Sequence, residues 1–83
     1  MIEIKIYCTK THEQYQTIYD IINKIMTENN FEYRIERITD RDVIRRRNIL
    51  VQPHIVINNQ IVLLKRAPTE HDIKIILIRM KLL

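Results

Sequence analysis

The sequence predicts an α/β domain, a four-stranded mixed sheet with three helices in the order β-α-β-α-β-β-α, spanning residues 1–83 as one unit. Three observations carry that prediction. Ile2, Ile4 and Ile6 alternate with Glu3 and Lys5, a strand periodicity. Apolar residues then recur at three- and four-residue steps, the signature of a helix with one apolar stripe. Most telling is the run Val51-Gln52-Pro53-His54-Ile55-Val56-Ile57-Asn58-Asn59-Gln60-Ile61-Val62-Leu63-Leu64, which reads as a proline at the mouth of a strand, that strand, a tight turn and a partner strand.

Taken in order, the first strand ends at Tyr7 and Cys8. Thr11 stands three residues before Gln14, a capping-box spacing, and is expected to open the first helix. Tyr15, Ile18, Tyr19, Ile22, Ile25 and Met26 form its stripe, and Asn29-Asn30 stops it, asparagine tolerating the left-handed conformation. Phe31, Tyr33 and Ile35 alternate with Glu32, Arg34 and Glu36 as the second strand. Thr39 or Asp40 caps a short helix that turns Val43 and Ile44 inward and its arginines outward, and Asn48 ends it. The chain has no glycine, so asparagine stands in repeatedly, and Asn58-Asn59 reads as a two-residue hairpin turn between Ile55–Ile57 and Ile61–Leu64. Thr69, three residues before Asp72, caps the last helix, with Ile73, Ile76, Leu77 and Met80 on one face and Pro68 just ahead of the cap. A helical crossover between the first two strands makes them parallel.

Composition narrows the function classes. With 83 residues the chain has room for a single core and buries about 60–65 % of its unfolded surface. Charged residues punctuate every apolar run, so nothing approaches the roughly 18 apolar residues of a membrane span. The N-terminus lacks a signal-peptide pattern, and a cytoplasmic location is the default expectation. One cysteine, Cys8, excludes an internal disulfide and a cysteine-based zinc site, and His12, His54 and His71 lack close metal spacing, so no metal is expected. The net charge of +4 favours anionic partners, with one dense cluster, Arg41 and Arg45-Arg46-Arg47.

The element order, with proline directly ahead of the third strand, resembles the thioredoxin/glutaredoxin superfamily, in particular its small, glutaredoxin-sized members. The landmarks are Ile4-Lys5-Ile6-Tyr7 ending strand one, Val51-Gln52-Pro53 ahead of strand three, and Pro68-Thr69-Glu70-His71-Asp72-Ile73 opening the last helix. The resemblance implies a cis proline at Pro53 facing a redox motif. That motif is missing. Where the family carries Cys-x-x-Cys or Cys-x-x-Ser, alignment on Tyr7 and the helix start places Thr11-His12-Glu13-Gln14. A dithiol mechanism therefore has no thiols to run on.

A second alignment, Cys8-Thr9-Lys10-Thr11, has the outline of a monothiol motif, with Lys10 as a cation supporting thiolate. It requires the helix to begin near Cys8. The competing reading places Cys8 in the inward row of Ile2, Ile4 and Ile6 as a small buried hydrophobe. Glutathione as a cofactor is doubtful, because the segment matching the family's Gly-Gly and acidic residue is Lys65-Arg66-Ala67-Pro68. Lys10 and the backbone at Gln52 remain able to hold an anionic peptide end.

The leading expectation is thus a protein-interaction module that accepts a protein or extended peptide by strand addition, in a groove lined by Thr9, Thr11, His12, Gln52, Pro53 and His54. A single-thiol oxidoreductase using Cys8 is the alternative. The last helix carries a second stripe, Ile75, Ile78 and Leu82, which suggests self-association. Nucleic acid is the weaker fit for Arg41, Arg45, Arg46, Arg47, Lys65 and Arg66, because no binding motif accompanies them and aromatic residues are only 6 %.

Overall fold

Alternation in the first strand decides the layering of the whole molecule. In the computed structural model, which describes residues 1–10, 13–48, 53–62 and 69–83, β1 spans Ile2–Tyr7. It turns Ile2, Ile4 and Ile6 to one face and Glu3, Lys5 and Tyr7 to the other. The elements that follow are α1 (Tyr15–Glu28), β2 (Tyr33–Ile38), α2 (Arg41–Arg46), β3 (His54–Ile57), β4 (Gln60–Val62) and α3 (Glu70–Arg79). The sheet order is β2-β1-β3-β4, with β1 and β2 parallel and the β1–β3 and β3–β4 pairs antiparallel. The expected mixed sheet with three helices is the one observed.

The two faces carry separate clusters. On one, Ile2, Ile4, Ile6 and Cys8 join Ile55, Ile57 and Val62 beneath Ile18, Ile22, Ile25 and Met26 of α1 and Ile73 and Leu77 of α3. On the other, Tyr7 and Val56 pack against Ile44 of α2, with Ile38 and Val43 at the margin. Lys24 binds α1 to α3, its Nζ lying 3.1 Å from Glu70 Oε2.

Local chemistry explains the boundaries. Asn30 and Asn48 hold φ of 56° and 54°, and Lys81 does the same after α3 at 61°. After α1 the Phe31 N–H returns to the Met26 carbonyl and the Asn30 N–H to Thr27, a Schellman closure; Leu82 and Lys81 repeat it on Leu77 and Ile78. Asn58 and Asn59, at φ 48° and 65°, make the hairpin a type I′ turn. The Asn58 side chain also accepts from the Glu3 N–H at 2.9 Å, which ties the turn to β1. Asp40, rather than Thr39, caps α2, accepting from the Asp42 and Val43 N–H groups, and Thr69 and Asp72 form a complete capping box on α3.

Two boundaries differ from expectation. The first helix begins at Tyr15 with Gln14 as N-cap, so Thr11 does not open it. Gln14 already has helical dihedrals (φ −82°, ψ −10°), makes no side-chain cap and offers its carbonyl to Ile18, so a Thr-x-x-Gln spacing alone did not place the helix start. The second strand runs from Tyr33 to Ile38 instead of from Phe31, because the Phe31 N–H is spent closing α1. Leu63 and Leu64, expected in the fourth strand, lie outside the described residues, as does Pro68.

Candidate functional site

The ladder between β1 and β3 ends at the pair Tyr7–His54, and Pro53 stands one residue beyond it, half-buried. Continued by one step, that register sets Cys8 opposite Pro53. Tyr7 and His54 share the α2 face and meet edge-on, ring centroids 5.8 Å apart. Arg47, the C-cap of α2, lays its guanidinium 5.1 Å from the Tyr7 ring centroid. Burial, together with the Arg47 charge, lowers the His54 pKa from its usual value near 6.5. Tyr7, Arg47 and His54 therefore form one rim, which Pro53 adjoins as the chain neighbour of His54, with a cation held over an aromatic ring and an imidazole biased toward neutrality.

A second arrangement lies at the carboxyl ends of the parallel pair. The chain leaves β1 for α1 on one face and β2 for α2 on the other, so the loops diverge as they do at the switch point of an open α/β sheet. A cavity of about 510 Å³ opens there, lined by Thr9, Lys10, Thr39, Asp40 and Arg41. Arg37 braces its wall from behind: Nη2 donates to the carbonyls of Thr9 and Lys10, each at 2.9 Å, while the guanidinium stacks 4.0 Å from the Tyr15 ring centroid. Burial raises the Tyr15 pKa above 10, although Arg37 opposes the shift. The Thr9-Lys10 turn is thus pinned to both β2 and α1.

Cys8 is 0 % exposed and sits in the α1/α3 core with Ile2, Ile4 and Ile6, its N–H donating to the Ile38 carbonyl at 3.1 Å. The row of alternating isoleucines placed it correctly as a buried residue. The register that would make Cys8-Thr9-Lys10-Thr11 a motif at a helix start is not the one formed, because α1 begins seven residues later, at Tyr15. Lys10 is exposed.

A strand–helix–strand–helix unit, a β-hairpin that opens at a proline beside the end of β1, and a closing helix make up the architecture of the described residues. A family model described as a thioredoxin domain matches residues 2–78. The chain belongs to the thioredoxin domain family. With a single cysteine, this thioredoxin domain has no Cys-x-x-Cys pair. No curated protein matches the chain.

The structure brings together some of the expected site residues of this thioredoxin domain. Pro53 and His54 share the rim with Arg47, and Lys10 shares the switch-point cavity with Arg41. Thr11, His12 and Gln52 lie outside the described residues, and with Gln52 goes the isomer expected at its bond to Pro53. Arg41, Arg45, Arg46 and Arg47 are all exposed, as expected for the outer side of α2. Along α3, Ile78 is 56 % exposed and Ile75 half-buried, while Leu82 turns back through Lys81 to pack on the core. Two residues that shape this region carry no motif in the sequence. Tyr7 ends its strand, and its parity opposite Ile2, Ile4 and Ile6 marks the other face. Arg37 shares the inward parity of Tyr33 and Ile35, and a cation at such a position is the signal that it reaches for backbone carbonyls.

Proposed function

We propose that this thioredoxin domain is a protein-interaction module without dithiol chemistry, accepting an extended segment of a partner at the Pro53 rim. The observation that carries this reading is the position of Cys8. It is the chain's one cysteine, 0 % exposed and enclosed by isoleucines. Disulfide exchange needs a sulfur that a second sulfur can approach in line, and a thiol enclosed by apolar side chains offers no such access. The polar groups that could recognise a partner gather on the opposite face, at Arg47 and His54, over the buried ring of Tyr7. Strand addition next to the start of β3 fits that placement, since main-chain pairing supplies affinity without any bond being broken. The proposal includes no cofactor.

The competing single-thiol oxidoreductase would use Cys8 with Lys10 in support, and it makes an opposite demand on Cys8. The test is the alkylation rate of Cys8 by iodoacetamide against pH, in the folded protein and in denaturant. Slow modification in the fold, restored on unfolding, is the expected result. Rapid folded-state modification with a midpoint well below about 8.5 would overturn the module and install the oxidoreductase.

A further inference from the structure

We infer that the segment received at the Pro53 rim is acidic, its carboxylates meeting the arginines that α2 carries along that rim. This inference rests on the interaction-module reading and adds the chemistry of the partner.

Charge placement is the ground for it. Several exposed charges elsewhere are answered internally: Lys24 reaches Glu70 and Glu28, Lys74 reaches Glu70 at 3.2 Å, and Arg34 reaches Glu3 at 3.5 Å. Arg41, Arg45, Arg46 and Arg47 make no ion pair among the described residues. The two acids beside them form no ion pair with them among the described residues: Asp40 accepts from the Asp42 and Val43 N–H groups, and Asp42 lies in the first turn. Arg41 and Arg45 stand one helical turn apart, a like-charged i, i+4 pair that costs a short helix stability. Carboxylates from outside would relieve that repulsion and engage the guanidinium forks in paired hydrogen bonds.

Position makes the charge relevant to the rim. Arg41 lines the cavity shared with Lys10 at the end of β1, and Arg47, at the other end of α2, stands over Tyr7 beside His54. The helix therefore runs as a basic ridge from one side of the β1 terminus to the start of β3. A peptide laid beside Pro53 passes along it. Nucleic acid fits less well. Six helical residues span about 9 Å, whereas single-strand binders track four or more nucleotides over aromatic platforms, and Tyr7 is buried.

The test is a titration of the isotopically labelled domain, at about 150 mM ionic strength, followed through its backbone amides. Three probes are compared: an octapeptide alternating Thr and Glu, its counterpart alternating Thr and Gln, and an oligothymidylate of eight nucleotides. Saturable shifts at Tyr7, Arg45, Arg46, Arg47 and His54 with the Glu peptide are expected, with the Gln peptide weaker by about tenfold or more. Arg45→Glu with Arg46→Glu should abolish the Glu-peptide shifts, and Arg45→Lys with Arg46→Lys should retain most of the affinity; the amide spectrum reports that each variant is folded. Equal affinity for both peptides at these amides would overturn the acidic partner and leave the module standing. Silence at Tyr7 and His54 with both peptides would overturn the module as well. Tighter binding of the oligothymidylate at the same amides would replace the acidic segment with a nucleic acid.

Discussion

The two faces of the sheet differ in thickness, and the difference follows from helix length. On one side α1, of 14 residues, and α3, of 10, cover β1, β3 and β4 with a continuous apolar layer. On the other, the six residues of α2 cover only Tyr7, Val56 and their neighbours. The part of that face that no described residue covers is charged, and its charges are matched across strands: Glu3 stands opposite Arg34 and Lys5 opposite Glu36. Stability is thus concentrated on the α1/α3 side. The α2 side needs little more than its small cluster, so its rim can be cationic and aromatic without opening the core. A thickly packed face and a thinly packed, charged face share one sheet.

The largest expected effect would break that comparison if it failed. Ile22→Ala, at a 0 % exposed position in the thick layer, should cost about 4 kcal/mol, and Ile44→Ala, at a 6 % exposed position in the thin one, about 2 kcal/mol. Equilibrium denaturation in urea reads both, and equal costs would mean that α2 carries as much of the fold as α1. Arg37 joins β2 to the β1 loop, so its removal tests whether the site is braced from the structural side. Arg37→Ala should cost about 1–2 kcal/mol through two lost hydrogen bonds and the contact with Tyr15. Arg37→Lys should recover only part of this in the same denaturation, because an ammonium lacks the planar fork. An Arg37→Ala variant as stable as the parent would detach the cavity from the structural face.

The smallest effect is a pH dependence carried by His54 on the α2 face. The lowered His54 pKa means that the folded domain holds fewer protons than the unfolded chain near pH 6. The stability His54 contributes is complete above the unfolded value, about 6.5, and is lost as pH falls through the lower folded value. Thermal melts should therefore drop more steeply from pH 7 toward about pH 5 in the parent than in His54→Gln. Parallel profiles would show that the imidazole is not held neutral by its surroundings.

Legibility in the sequence follows the same division. Every element was readable, because isoleucine alternation, helical stripes and asparagine stops are local signals that tertiary packing here reinforces. The failures lie where a backbone group chooses between two partners. Thr11 and Gln14 have capping-box spacing, yet Gln14 joins the helical turn; Phe31 has strand periodicity, yet its N–H closes α1. For Cys8 the sequence offered two readings, a buried member of the isoleucine row and a reactive thiol, and its 0 % exposure agrees with the first. The rim was only half legible: Pro53 and His54 are adjacent in the chain, but Tyr7, Arg37 and Arg47 reach their roles through contacts between distant segments. Residue spacing carries no record of such contacts.

The glycine-free backbone has a consequence for mutational tolerance. Asn30, Asn48, Asn58, Asn59 and Lys81 all adopt positive φ. A side chain in that region costs roughly 1–2 kcal/mol relative to glycine, least for asparagine and more for lysine. Asn58 recovers part of its cost through the Glu3 N–H, whereas Lys81 has no such hydrogen bond from its side chain among the described residues. A small domain living close to its stability threshold thus keeps an untapped reserve at the end of α3. A destabilising substitution on the thin α2 face can be offset by a single replacement at the end of α3.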